Sequence, residues 1–207
     1  MRTIFFGITL LITTFLHAQE EEEILYTRAG FKIGANYATI NGDINDVDPR
    51  FRLHLGAVIE FPILSRFYIQ TEVLYSAQGY TFEEEGVENK ISLNYLALPV
   101  MTKFYITNQI SLETGPQLAT LANATTSAED PTDEFYNSFE SFDFGWGFGG
   151  SYMLESGLFF QARYVMGLTN INAIDTIDIT NKHGVGQLSV GYLFKTKNNR
   201  RQDDQTF

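Results

Sequence analysis

The chain has 207 residues, of which 44% are hydrophobic, 14% aromatic and 19% charged, with no cysteine and a net charge of −11. This apolar and aromatic content excludes a disordered chain, and the lack of cysteine excludes a disulfide scaffold and a cysteine-based metal or redox site. A nucleic-acid partner is also excluded, because phosphate contacts need clustered basic residues and the chain has 14 Lys and Arg against 25 Asp and Glu.

The first 18 residues have the features of a secretory signal peptide. Arg2 supplies a positive charge, an apolar stretch occupies 4–16, and Ala18 precedes the acidic run at 20–23. The apolar stretch is shorter than the ~20 residues that a spanning helix needs, so a membrane anchor is the weaker alternative. We therefore expect cleavage after Ala18, which leaves an acidic N-terminal segment at 19–28 and sends the protein out of the cytoplasm.

Eight segments of the remaining chain alternate apolar residues with small or polar ones, the period of a strand that faces two environments. They lie at 29–39, 52–61, 67–79, 91–104, 110–121, 141–153, 158–168 and 184–194. No segment shows a sustained helical period. The sequence therefore predicts an all-β domain over 29–194, followed by a polar C-terminal tail at 195–207.

The predicted connections alternate in length. Long polar connections follow the odd-numbered segments, at 40–51, 80–90, 122–140 and 169–183, and they carry most of the acidic residues. Short connections follow the even-numbered segments, at 62–66, 105–109 and 154–157. Transmembrane β-barrels have an even number of strands, short periplasmic turns and long extracellular loops. We therefore predict an eight-stranded antiparallel up-and-down transmembrane β-barrel in the outer membrane, with both termini in the periplasm.

The chemistry of the two strand faces separates a membrane barrel from a soluble one. One face is bulky and apolar, and the other is mostly Gly, Ser, Asn and Gln with scattered charges of both signs. A soluble barrel would instead cover its outer face with many Lys and Glu. Since eight strands enclose an interior that side chains just fill, we expect the small polar face to fill the lumen and the apolar face to meet lipid.

The fourth segment needs an irregularity. Strict alternation would turn four apolar residues outward: Ile91, Leu93, Tyr95 and Ala97. Lys103 would then also face lipid, at a cost of about 2–4 kcal/mol near the middle of the membrane. Because proline cannot donate to the strand ladder, we predict a bulge at Pro99 that turns Lys103 inward.

The inward-facing charges, with one histidine, form the candidate site. The set comprises Lys32, Arg52, His54, Glu60, Glu72, Lys103, Glu113, Asp143 and Arg163. Charges in a sealed interior must be paired and hydrogen-bonded, which predicts a structural network. A catalytic or ion-conducting cluster is the alternative. Neither His54 nor His183 has a neighbouring Ser and acid in the sequence that would indicate a nucleophile and its base.

Eight short motifs appear in order along the predicted domain. They are FKIGAN at 31–36, QTEVLYSAQG at 70–79, LNYLALP at 93–99, ETGPQ at 113–117, FDFG at 142–145, ARY at 162–164, GLTNI at 167–171 and GYLF at 191–194. Together they resemble the outer-membrane β-barrel domain family of Bacteroidota, in particular its PorT-like group. The resemblance implies an eight-stranded outer-membrane barrel, and it does not imply any particular enzymatic reaction.

The sequence departs from this family in two places. Ala97 stands where relatives often carry an acidic residue, which leaves Lys103 one candidate partner fewer. Family members usually end on the aromatic residue of the last strand, which is thought to be read by the barrel-assembly machinery. Here the tail at 195–207 follows Phe194, so assembly would use either Tyr192 and Phe194 internally or Phe207 at the end of the chain.

We expect a non-enzymatic barrel with a closed lumen that acts through acidic extracellular loops, or as an accessory to envelope integrity or protein export. No cofactor or metal is predicted, because the loop carboxylates lack the regular spacing of a calcium site. The expected partners are outer-membrane lipids, lipopolysaccharide, the barrel-assembly machinery and other envelope proteins, with the protein itself a monomer. A barrel enzyme that modifies lipids and a soluble periplasmic ligand-binding barrel are the alternatives.

Overall fold

The computed structural model describes residues 25–42, 47–84, 86–127, 139–171 and 181–196. Its eight strands are β1 (Arg28–Gly42), β2 (Val47–Leu64), β3 (Phe67–Glu84), β4 (Val87–Tyr105), β5 (Ile110–Thr126), β6 (Phe142–Met153), β7 (Leu158–Gly167) and β8 (Asn181–Lys195). Each strand pairs antiparallel with the next, and β8 pairs with β1 to close the barrel. The predicted fold class, an eight-stranded antiparallel up-and-down barrel, is confirmed.

The predicted signal peptide at 1–18 and most of the polar tail lie outside the described residues. Within the described part of the chain, no helix combines the length and apolar character needed to cross a bilayer. The three short turns occur where they are predicted, at 65–66, 106–109 and 154–157. The last of them ends at Gly157, whose φ of 96° lies in the left-handed region that glycine adopts without strain.

At the opposite end of the barrel the strands run further than the sequence predicts. The expected connections at 40–51 and 80–90 shrink to 43–46 and 85–86, because the flanking strands continue towards the tips. β3 and β4 stay paired as far as Glu84 and Val87. This correction has a physical reason, since hydrogen bonds between neighbouring backbones do not depend on the side-chain pattern, so pairing continues where the apolar alternation fades. We call this end, with the connections after β1, β3, β5 and β7, the loop end, and the other the turn end.

The outer face of the barrel carries the bulky apolar side chains that alternation predicts to face outward. These exposed residues include Phe31, Ile33, Leu53, Leu55, Val73, Tyr75, Leu112, Trp146, Phe148 and Phe160. The side chains between them point into the lumen, and many are polar and buried. The two faces of most strands therefore separate as the sequence indicates, with the polar set inside.

The fourth strand departs from the prediction. Pro99 pairs with Gln117 in the same register as Lys103 with Glu113, so no bulge occurs there. The register shift lies instead at Asn94 and Tyr95. Lys103 does point inward, with 1% of its surface exposed, because the even-numbered positions from Leu96 onward face outward.

The four apolar residues expected on the outside of this strand are buried inside the barrel. The correction concerns Ile91, Leu93, Tyr95 and Ala97. They pack in an apolar cluster that fills the lumen towards the loop end. We call this cluster the apolar plug; its other members are Ile40, Leu74, Tyr80, Ala119, Leu121, Ala124, Phe139 and Ile171. These residues face inward because the lumen itself is apolar at this level.

Candidate functional site

The middle of the lumen holds a buried ionic cluster built around Arg163. Its guanidinium group donates two hydrogen bonds to the Glu72 carboxylate, of 2.7 and 3.0 Å, and a third, of 2.6 Å, from Nε to Glu113. The ammonium group of Lys32 lies 2.7 Å from Glu72 Oε2, an oxygen that also accepts from Arg163. These four side chains come from β1, β3, β5 and β7, so the cluster ties together alternate strands around the barrel.

A second ionic cluster lies between this level and the turn end. The two oxygens of Glu60 accept hydrogen bonds from Lys103, at 3.1 Å, and from Arg28, at 3.0 Å. The Tyr105 hydroxyl donates a further hydrogen bond of 2.9 Å to Glu60. Arg28 lies at the turn-end mouth of the lumen, where its side chain is 18% exposed, whereas that of Glu60 is completely buried.

Two glutamines connect these side chains into one network. Gln70 accepts a hydrogen bond of 3.0 Å from Lys103 and donates one to Glu72, which joins the two clusters. Gln161 accepts a hydrogen bond of 2.8 Å from Lys32 and donates to Glu113. We call the nine side chains the lumen network: Arg28, Lys32, Glu60, Gln70, Glu72, Lys103, Glu113, Gln161 and Arg163.

Three members of the network were missing from the sequence-based set. Gln70 and Gln161 point inward. Each lies two positions before a charged residue that was predicted to point inward, Glu72 or Arg163, and this spacing could have identified both glutamines. Arg28 was assigned to the segment before the first strand, but β1 begins with it. Tyr105 was also missed as a partner, because it was assigned to a connection.

Six of the nine predicted site residues belong to the lumen network, and three lie apart from it. Arg52 is half-buried nearer the loop end, where it donates to Ser92 and Asn94. Asp143 accepts a hydrogen bond of 2.6 Å from Thr169. The nine predicted residues include four cations and four carboxylates, whereas the lumen network contains four cations and three carboxylates.

The third, His54, forms a separate arrangement just beyond the ionic clusters. Its Nδ1 lies 2.8 Å from Asn36 Oδ1, and its Nε2 lies 2.8 Å from Ser189 Oγ. Since an amide oxygen can only accept, Nδ1 carries the proton and Nε2 accepts from the serine. The order Ser189–His54–Asn36 has the form of a nucleophile, a base and an orienting group, which the sequence order had concealed.

The surroundings of this histidine favour packing over catalysis. His54 and Asn36 are completely buried, and Ser189 is 7% exposed. The side chain of Asn36 also donates to Ser76 and to the carbonyl of Ala77, so it is held from several sides. The cavities at the turn end and on the outer wall do not include Ser189. Ser189 therefore packs among lumen side chains and lines neither of these two cavities.

A comparison with protein families identifies the family of this chain. The sequence profile of the outer membrane protein beta-barrel domain family matches residues 17–173. The chain belongs to this family. No curated protein shows significant sequence similarity to it.

Solved outer-membrane barrels have a similar fold. The attachment invasion locus protein Ail of Yersinia pestis aligns with 82% of this chain and 100% of its own, at 14% identity and a TM-score of 0.52. Neisserial surface protein A aligns with 80% of this chain and 97% of its own, at 11% identity and a TM-score of 0.50. At these identities the likeness concerns the fold.

Family membership identifies the surroundings of the two barrel faces. The protein is an outer-membrane β-barrel, so its exposed apolar wall meets lipid and its polar side chains fill the lumen. Among the described residues, no group of three or more His, Asp or Glu is arranged to hold a metal ion. In the part of the chain that the structure describes, the lumen side chains form ion pairs and hydrogen bonds with one another.

Proposed function

We propose that this outer-membrane barrel is a closed, non-enzymatic protein of the PorT-like group of Bacteroidota, which acts through its loop end and through protein partners in the envelope. The observation that carries the proposal is the lumen network, whose charged groups are paired with each other across the barrel. An aqueous channel of the porin type would need a lumen free of such crossing side chains.

Two layers support the closed state. Glu72, Glu113 and Arg163 are each at most 3% exposed, although they lie in the middle of an eight-stranded barrel. Nearer the loop end, the apolar plug contains Leu74 and Leu93, both completely inaccessible to solvent. An ion that crossed the lumen would have to separate buried ion pairs and then pass an apolar layer, and each step is costly.

The charge of the two ends supports action at the loop end. Its described residues include the exposed carboxylates of Glu83, Glu88 and Glu140, of which Glu88 pairs with Lys90, while the turn end carries Arg66 and Lys195 with one exposed carboxylate, Glu155. The β3–β4 hairpin projects this acidic surface on paired strands. We assign to it contacts with basic surfaces of envelope proteins, or with lipopolysaccharide through divalent cations. Envelope integrity, adhesion and accessory work in protein export are roles that use such contacts.

The route to the membrane follows from the same proposal. The signal peptide at 1–18 directs export, and the barrel-assembly machinery inserts the monomer from the periplasmic side. Arg28 at the start of β1 pairs with Lys195 at the end of β8, so both ends of the barrel sequence emerge at the turn end. This arrangement supports a periplasmic location of both termini, with the loops outside.

The closed lumen predicts that the purified protein does not conduct. In planar lipid bilayers we expect no single-channel steps, whereas a 16-stranded porin prepared in the same way gives them, because the lumen network and the apolar plug block the path. Correct folding of the inserted protein is checked by its shifted gel mobility before boiling. Regular porin-like steps from the folded protein would show that the lumen opens.

The orientation predicts where a protease can reach the protein on intact cells. A protease site inserted at 85–86, in the β3–β4 tip, is expected to be cut from outside. The same site inserted at 106–109, between β4 and β5, is expected to be cut only after the outer membrane is permeabilised. Cleavage of intact cells at the second position and protection of the first would reverse the proposed topology.

A further inference from the structure

The outer wall of the barrel has an apolar groove of about 380 Å³ in the half nearer the loop end. At its centre lies Gly186 of β8, which pairs with Tyr37 on β1 and with Tyr164 on β7. Tyr37 in turn pairs with Phe51 on β2, and the two rings are 4.9 Å apart between centroids. A residue without a side chain therefore interrupts a row of aromatic rings on the lipid-facing wall.

The groove continues into the next outward row of the wall. Leu188 stands there between Ala35 on β1 and Ala162 on β7, so small residues flank a large one. A Cβ atom placed on Gly186 would meet nothing closer than Tyr37, at 3.9 Å. The space over Gly186 is therefore open, and aromatic rings and aliphatic side chains bound it. An acyl chain matches the chemistry of these walls.

Polar groups gather directly above this groove on the loop-end side. Over Gly184, Asn41 Nδ2 and Tyr164 Oη lie 2.6 and 2.9 Å from the position that a Cβ atom would take, so both atoms lie within about 3 Å of one point. Lys182 follows at the next outward position of β8, about 13 Å from Gly186 along the strand. Lys182 forms no salt bridge with any residue that the structure describes.

The apolar groove lies nearer the membrane core, and an ammonium group, an amide and a hydroxyl lie towards the surface. The acyl chain and the headgroup of a lipid follow one another in the same order. A phosphate would receive hydrogen bonds from all three groups and the charge of Lys182. In the orientation proposed above, this end of the barrel lies in the outer leaflet, where lipopolysaccharide supplies phosphorylated acyl glycolipids.

We propose that the groove around Gly186 binds one acyl chain of a phosphorylated outer-leaflet glycolipid, and that Lys182, Asn41 and Tyr164 hold its phosphate. The assignment to the outer leaflet rests on the proposed orientation, whereas the site itself does not. Protease cleavage of cells tests the orientation separately, so the two proposals can fail independently.

The test measures lipid retention by the folded protein in detergent micelles, with phosphorylated lipid A as the probe and native mass spectrometry as the readout. The wild-type protein is expected to retain one lipid A. G186L should fill the groove and weaken retention at least tenfold, and G186A should weaken it less. A57L adds a similar side chain on the lipid-facing wall outside the groove, and it should retain lipid A like the wild type.

The phosphate half of the proposal has its own variant. K182Q is expected to weaken the binding of phosphorylated lipid A about fivefold, and to leave the binding of dephosphorylated lipid A unchanged, since one Lys near a membrane surface contributes on that order. Equal retention of lipid A by G186A, G186L and A57L would overturn the proposal that the groove binds its acyl chain. Loss of both lipids in K182Q, or displacement of lipid A by an equal amount of phosphatidylglycerol, would overturn the assignment to a phosphorylated glycolipid.

Discussion

Replacement of Glu72 by glutamine is expected to lower the free energy of unfolding by about 3–5 kcal/mol, the largest effect that we predict for a lumen side chain. Glu72 accepts two hydrogen bonds from Arg163 and lies 2.7 Å from Lys32, and none of the three side chains is more than 1% exposed. The neutral amide removes the counter-charge and leaves two buried cations to share Glu113.

Urea unfolding in micelles, followed by the fluorescence of Trp146 and by gel mobility, measures this effect. Glu88→Gln is the matched control, because Glu88 forms its salt bridge with Lys90 on the exposed hairpin. That surface pair should contribute ~0–1 kcal/mol. If Glu72→Gln and Glu88→Gln unfold at the same urea concentration, the lumen network does not hold the barrel together.

A double variant separates lost charge pairing from lost packing. Lys32→Met combined with Glu72→Gln removes one of the two cations that the single change leaves without a partner. The double variant should therefore be more stable than Glu72→Gln alone, even though it carries two substitutions in the core. A further loss of stability in the double variant would indicate that shape, rather than charge, decides the cost.

Arginine in place of Leu55 is expected to cost about 2–4 kcal/mol, because the side chain points from the middle of β2 into the hydrocarbon. Leu55 pairs with Ile33 on β1 and with Tyr75 on β3, and all three side chains are exposed on the outer wall. In water this substitution would be harmless. The size of the loss therefore reports directly on the lipid that surrounds this face.

The measurement is urea unfolding of the variant in phospholipid bilayers, with Val87→Arg as the control. Val87 is equally exposed but begins β4 at the tip of the β3–β4 hairpin, where the side chain meets water or the membrane interface. There arginine should cost ~0–1 kcal/mol. Equal costs at both positions would contradict a membrane-embedded outer wall.

The alternation along the strands was sufficient to predict the number of strands, their antiparallel order and the face that points outward for most of them. It failed where the lumen changes character. From Ile91 to Tyr95 the alternation is intact, but its apolar residues face an apolar part of the lumen, so they were wrongly placed outside. Proline was then given a bulge that Pro99 does not form.

The contacts within the lumen network could not be predicted from the sequence, for a different reason. Arg163 and Glu72 are 91 positions apart, and Lys32 and Gln161 are 129 apart. Alternation shows that each side chain points inward, but the level that it occupies along the barrel depends on the stagger of all eight strands. The Ser189–His54–Asn36 arrangement was hidden in the same way, because three strands contribute one residue each.

The order of residues in the chain determined an outer-membrane barrel with an apolar outer wall and a largely polar lumen, because the side chains of a strand between lipid and lumen must alternate. Only closure of the barrel decided which inward charges meet, since pairing between β8 and β1 sets the height of every residue on the wall. The same closure placed Gly186 between two tyrosines from other strands, and so created a groove that no single strand could reveal.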